Sequence, residues 1–209
     1  MNTDLVAQAL IEEQAVFLRP KEPFTWTSGV KSPIYCDNRM LISTTDVRQA
    51  IVRELAQLVK GLSPELVAGT ATAGIPWAAW VAQELHLPMV YVRSSAKGHG
   101  RQNLIEGRAH PGARCVLLED LISTGKSSLA AAQALQDEGL KVLAVVGLFH
   151  YNFPETHELF QRRGVTATAL CTLDQLLPWA VRNNTISARE AQDIIQWRNQ
   201  LRLHSTPTS

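Results

Sequence analysis

Apolar positions along this chain change their period several times, and each change marks an element. Over residues 3–18, Val6, Leu10 and Phe17 share one helical face and Glu12 and Glu13 lie outside it, which predicts a first helix. A second helix is predicted over 45–60, where Val47, Ile51, Leu55 and Leu58 mark the buried face. From residue 66 onward short apolar runs alternate with helical patterns. Runs at 66–68, 89–92, 116–118, 142–149 and 167–170 read as strands apolar on both faces, as in a parallel sheet. Ile75, Ala79, Ala82 and Leu85, then Leu129, Ala132 and Leu135, then residues 155–163 read as the helices between them. Thr172 with Gln175 and Ser187 with Glu190 each fit a capping box, and a last helix would bury Ala191, Ile194, Trp197 and Leu201. The expected fold is α/β: a mainly parallel, doubly wound sheet flanked by helices.

Residues 24–39 break this rhythm. Aromatic and β-branched residues around Ser28-Gly29 predict a small hairpin. Preceding the first core strand, it cannot easily join the parallel sheet, so a small N-terminal hood is expected. The chain then divides into an N-terminal helix and hood hairpin (1–40), a core (41–204) and a frayed tail (205–209).

Composition narrows the class. The 209 residues suit one large domain, and 45% hydrophobic residues suit a soluble globule with a sizeable core. A net charge of +1 gives no field favouring nucleic acid or an anionic membrane. No apolar run approaches the ~18 residues that span a bilayer, and the acidic N-terminus (Asp4, Glu12, Glu13) lacks a secretory pattern. Cys36, Cys115 and Cys171 share no metal-ligand spacing, and the last two sit in strands. A reduced, cytoplasmic protein is expected.

Three loops carry candidate chemistry, each after a strand. At 69–76, small residues including Thr70, Ala71 and Thr72 lead into a helix begun by Pro76 and could hold an anion. At 93–107 the chain is polar, Gly-punctuated and locally basic, with Arg93, Lys97, His99 and Arg101, and should form an exposed loop or ribbon. At 119–127 two carboxylates, Glu119 and Asp120, close an apolar strand, followed by Leu121, Ile122 and the small polar run Ser123, Thr124, Gly125, Lys126, Ser127. Strand, loop and helix aim N–H groups at one spot, which suits a phosphate. The acids beside it can accept from sugar hydroxyls or hold a hard cation such as Mg²⁺. A P-loop is the rival reading of Gly125-Lys126-Ser127, but its first glycine would fall on Asp120. In a doubly wound sheet all three loops converge on the carboxyl edge, where such folds bind ligands.

The run from Val116 to Ser127 resembles the phosphoribosyl-diphosphate (PRPP) signature of type I phosphoribosyltransferases. The Ser-Gly-x-Lys-Ser-Pro-Ile-Tyr of 28–35 and the Arg-x-x-x-Lys-x-His-Gly of 93–100 resemble orotate phosphoribosyltransferases of the shorter bacterial form, over roughly residues 10 to 200. The resemblance implies the type I phosphoribosyltransferase fold with its hood, and transfer of phosphoribose from PRPP to orotate in pyrimidine synthesis. It implies that Glu119 and Asp120 hold the ribose diol and that Leu121 to Ser127 hold the 5′-phosphate. Thr70, Ala71 and Thr72 would receive pyrophosphate. Arg93, Lys97 and His99 would neutralise it, with Lys97 or His99 as proton donor. Ser123, Thr124, Lys31 and Tyr35 would contact orotate, and Mg²⁺ would ride on PRPP, with Asp120 as its one protein candidate. Longer family members carry lysine at the positions of Thr27, Ala73 and Ser94, a carboxylate at Gly98, and an orotate-binding arginine near Phe149-His150-Tyr151. The family forms homodimers that share the catalytic loop. A PRPP-binding regulator would need a nucleic-acid surface that this charge does not offer, and a purine enzyme would place its hood elsewhere.

Overall fold

The computed structural model describes residues 2–26, 29–95 and 104–201. The first helix, α1 (Thr3–Glu12), starts where the Asn2 side chain accepts from the Leu5 N–H at 3.2 Å. It stops six residues short of the expected end. Gln14 turns into the left-handed region at φ 56°, and Val16–Leu18 becomes a strand, β1. Phe17 fits a helical face by spacing, but a β-branched and aromatic run pairs better than it coils.

Residues 24–36 form two small sheets where one hairpin was expected. β2 (Phe24–Thr25) pairs antiparallel with β3 (Lys31–Ser32), while β4 (Ile34–Cys36) pairs antiparallel with β1. Pro33 separates β3 from β4 and has no N–H to continue the ladder. Neither small sheet joins the main one. A 3₁₀ turn (Asn38–Ile42) leads into α2 (Thr45–Gly61). Because α1 packs on elements of the main body, the hood proper begins at β1.

The main body follows as β5 (Leu66–Thr70), α3 (Gly74–Leu85), β6 (Met89–Val92), β7 (Ile105–Glu106), β8 (Arg114–Ile122), α4 (Lys126–Asp137), β9 (Lys141–His150), α5 (Pro154–Arg162), β10 (Ala167–Thr172), α6 (Leu173–Arg182) and α7 (Ala188–Gln200). The six strands are ordered β10-β9-β8-β5-β6-β7, all parallel except the edge strand β7. Alternation along the strands feeds two cores. Val67, Val116, Leu118 and Val146 join Val6, Leu55, Trp77 and Leu176 on one face. Leu66, Ala68, Leu117 and Val145 join Leu129, Leu135 and Phe160 on the other. Each such side chain contributes roughly 1.5–3 kcal/mol by leaving water. Both expected capping boxes are present, at Thr172 with Gln175 and at Ser187 with Glu190.

β8 runs four residues past its expected end at Leu118. Leu121 stands opposite Phe149 and Ile122 opposite His150, so pairing with β9 continues and the two carboxylates lie inside the strand. Among the described residues, no helix is long and apolar enough to cross a membrane.

The start of α3 presses against this central strand. A Cβ on Gly74 would lie 2.6 Å from the Leu118 carbonyl oxygen, a backbone atom in the middle of the sheet. Gly74→Ala should therefore cost about 1–3 kcal/mol by overpacking. Urea unfolding would show it as a lower midpoint with the slope unchanged, and an unchanged midpoint would mean that α3 is free to shift.

Candidate active site

The carboxyl edge of β8 holds the densest polar chemistry described. Glu119 is only 5% exposed and Asp120 is half-buried. One Glu119 oxygen accepts from Ser128 Oγ at 3.1 Å and, more weakly, from Ser127 Oγ at 3.4 Å; the other accepts from the Asp120 N–H at 3.2 Å. Burial pushes the Glu119 carboxyl well above its ordinary range, and the Asp120 charge adds to the push. Burial raises Asp120 too, but the hydrogen bond between the two carboxyls lowers Asp120 while it raises Glu119. Of the two, Glu119 is the member pushed further towards the protonated form, and Asp120 is the more acidic one.

The phosphate-type loop follows directly. Thr156 Oγ1 donates to the Ser123 carbonyl at 2.8 Å and so pins the loop to α5. Gly125 takes φ +74°, and a Cβ there would lie 2.6 Å from the Phe160 ring. Both conformation and space demand glycine here. α4 then begins with Lys126 and Ser127 exposed at its N-terminus, where the first N–H groups have no partners within the helix. Leu121 packs on the core and Ile122 is fully buried, so these two can offer a ligand only backbone.

At the end of β5, Thr70 is buried and its hydroxyl has no hydrogen-bond partner among the described residues. Ala71 N–H donates to the Val92 carbonyl at 2.8 Å, and the Ala71–Thr72 peptide is cis. Arg93 follows Val92 directly. Its Nη1 lies 3.5 Å from Glu106, near enough for an ion pair, yet it is buried without a hydrogen bond. The described ends of the 93–107 segment lie side by side: the Arg93 N–H donates to the Leu104 carbonyl at 2.8 Å, and β7 pairs with β6, which lies just before the segment. Lys97 and His99 lie outside the described residues.

The hood candidates are held by hood residues. Lys31 is exposed and donates to Thr25 Oγ1 at 2.6 Å, and Tyr35 is 40% exposed against Phe24. What ties the hood side to the acidic strand is Asn38, which sequence reasoning did not single out. It is buried, its amide donates to the Asp120 carbonyl, and its side-chain oxygen accepts from the Cys36 thiol at 3.3 Å. Ser128, Thr156 and His150 were missed as well. His150 closes β9, is buried, and is held to about 4 by burial and by His157 stacked at 5.2 Å. A polar residue just after an aromatic hairpin was the only sequence signal for Asn38.

Among the described residues, no three His, Cys, Asp or Glu side chains cluster as a metal cage. Two acids alone suit a cation that brings most of its oxygen ligands with it. The larger hollows, about 370 to 540 Å³, lie between α2 and α3, at the opposite sheet edge, and between α4 and α5.

Residues 41–160, more than half of the chain, match the phosphoribosyl transferase domain. That match, with the parallel sheet and the acid-then-hydroxyl loop, defines the class: a phosphoribosyltransferase of type I fold. An orotate phosphoribosyltransferase of Listeria monocytogenes is 47% identical over 195 residues, 92% of this chain and 93% of the relative. Another, from Halalkalibacterium halodurans, is 47% identical over 197 residues, 93% and 94% of the two chains. The crystal structure of orotate phosphoribosyltransferase from Aeropyrum pernix superposes with a TM-score of 0.73 at 31% identity, over 83% of this chain and 96% of that one. The chain belongs to the orotate phosphoribosyltransferase family.

The buried acid yields a stability prediction. A carboxyl raised in the folded state favours folding at low pH, and that contribution is lost as pH rises through its folded-state value. Glu119→Gln removes the buried charge and keeps an acceptor for Ser128. At about pH 9 the variant should resist urea better than the parent, and by about pH 4 the gap should close. A variant weaker than the parent at the higher pH would mean that the surroundings stabilise the charged carboxylate instead of penalising it.

Proposed function

We propose that this protein transfers the 5-phosphoribosyl group of PRPP to orotate, giving orotidine 5′-monophosphate and pyrophosphate in pyrimidine biosynthesis. One observation carries the reading: a buried Glu119 and a half-buried Asp120 stand directly before a hydroxyl-rich loop at a helix N-terminus, on the carboxyl edge of a parallel sheet.

In this reaction the C1′–oxygen bond to pyrophosphate breaks and its electron pair leaves with pyrophosphate. A bond forms between C1′ and orotate N1, which loses its proton. Positive charge develops on the ribose ring between the two events. Ser123 to Ser127 hold the 5′-phosphate through backbone N–H groups and hydroxyls. Glu119 and Asp120 accept from the ribose diol, and the Asp120 charge faces the cationic ring as it forms. Thr70 carries a buried hydroxyl without a hydrogen-bond partner among the described residues, which supports anion binding at that end of the site. Lys97 and His99 neutralise the leaving pyrophosphate, and one of them donates a proton. Thr124, Lys31 and Tyr35 are the orotate candidates. Mg²⁺ would be held mainly by PRPP, with Asp120 as the one protein candidate, and would supply charge neutralisation to the leaving group. The enzyme works in the cytoplasm as a homodimer in which Arg93, Lys97 and His99 serve the neighbouring subunit.

Orotate absorbance, followed with PRPP and Mg²⁺ and with uracil and hypoxanthine as controls, tests the reaction. Loss of orotate signal alone supports it, and PRPP binding without turnover would favour a regulator. Asp120→Asn should cut kcat on the order of 100-fold with little change in the KM for PRPP, because its charge matters most in the transition state. A rise in KM alone would remove Asp120 from the chemistry. Mixed Lys97→Ala and Asp120→Asn subunits should recover up to about a quarter of the activity, since one site of the heterodimer inherits both intact halves. No recovery despite subunit exchange would confine the loop to its own chain.

A further inference from the structure

The hood is poorly supported by its own pairing. β2 and β3 share only two residue pairs, Phe24 with Ser32 and Thr25 with Lys31, and neither strand touches the six-stranded sheet. A two-stranded ribbon of that size does not stand alone in water. Its position must come from side chains reaching in from elsewhere.

Those side chains come from the last helix. The Trp197 indole N–H donates to the Lys31 carbonyl at 2.8 Å, across 166 residues of sequence. Its ring meets Trp26 edge-on at 5.7 Å and Phe153 at 5.9 Å. Trp26 in turn meets Tyr151 edge-on at 5.8 Å and donates to the Ile34 carbonyl at 3.3 Å. Tyr151 stacks on Phe153 at 5.2 Å, and its backbone N–H donates to the Ile122 carbonyl, one residue before the phosphate loop. One aromatic cluster therefore touches the hood, the end of β9 and the C-terminal helix.

The helix itself is fixed in register beside that cluster. Arg198, the residue after Trp197, is buried and pairs with Asp174 at 2.6 Å. Asp174 also accepts from Asn152 at 2.7 Å, the residue after Tyr151. Arg198 is buried but Asp174 is exposed, so the pair is only partly out of water; with Asn152 it marks the register of α7. A fixed helix presents a fixed indole N–H, and that N–H meets the hood backbone at Lys31.

We infer that Trp197 is a positioning residue for the nucleobase side of the reaction: from the C-terminal helix it holds the hood, through Lys31 and Trp26, in register with the strand edge where Tyr151 and the phosphate loop lie. The inference rests on the proposed reaction, with orotate bound under the hood. Trp197 touches no reacting atom. Its effect falls on the base substrate and leaves the phosphoribosyl half, built on β5 and β8, as it was.

Trp197→Phe keeps an aromatic ring and loses the donor. The KM for orotate should rise roughly five-fold, the worth of about one hydrogen bond, while kcat and the KM for PRPP stay within about two-fold of the parent. Hydrogen exchange should quicken at the amides of residues 30, 31, 32 and 34 and stay unchanged in β8. Unchanged orotate KM and unchanged exchange would overturn the inference. So would a parallel loss of both substrates or of PRPP binding by calorimetry, since Trp197 would then be general packing. If the parent protein turns over no orotate, the proposed reaction fails, and the exchange arm still decides whether Trp197 holds the hood.

Discussion

Two carboxylates inside the central strand of a parallel sheet are the constraint on which the rest of this structure turns. An ionised carboxylate buried without compensation is too costly to keep, so the group either takes a proton or finds partners. Glu119 does both: Ser127, Ser128 and the Asp120 backbone surround it, and burial pushes it towards the protonated form. The loop that follows is shaped by the same strand. Thr156 fastens it to α5, Phe160 fills the space beside Gly125, and α4 starts where the loop ends. Asn38 then joins the hood side to Asp120. A ligand that brings diol hydroxyls and a cation to this edge supplies what the acids lack, so binding and the protonation of the pair are coupled.

A second consequence concerns the division of the site. The phosphate side is built from residues whose strands pair along their length and whose side chains are mostly buried. The hood side rests on two short ribbons and an aromatic cluster fed by the C-terminal helix. One half is rigid by construction, and the other takes its position from distant side chains. Such a layout suits a reaction in which one substrate is a common donor and the other is selected.

The sequence made the sheet legible because its strands are apolar on both faces and its helices carry clear stripes and capping boxes. It misled where non-local pairing decides. Phe17 lies seven residues from Leu10 and looks helical, yet β4 draws residues 16–18 into a strand. Glu119 and Asp120 look like the start of a loop, yet β9 carries the ladder through them to Ile122. The acid pair and the loop after it were readable because their residue types are rare beside a buried strand. Asn38 was not, since its partner lies 82 residues away. Trp197 looked like one more apolar position on a stripe, although its indole N–H reaches the hood.

The central claim is that burial keeps the Glu119 carboxyl protonated well above the ordinary range in the free protein. A carbon-13 NMR titration of glutamate-labelled protein measures this directly, with the Glu119 carboxyl signal assigned by its loss in Glu119→Gln. The account predicts a midpoint far above the ordinary glutamate value of 4.5. A Glu119 midpoint at or below 4.5 would contradict it.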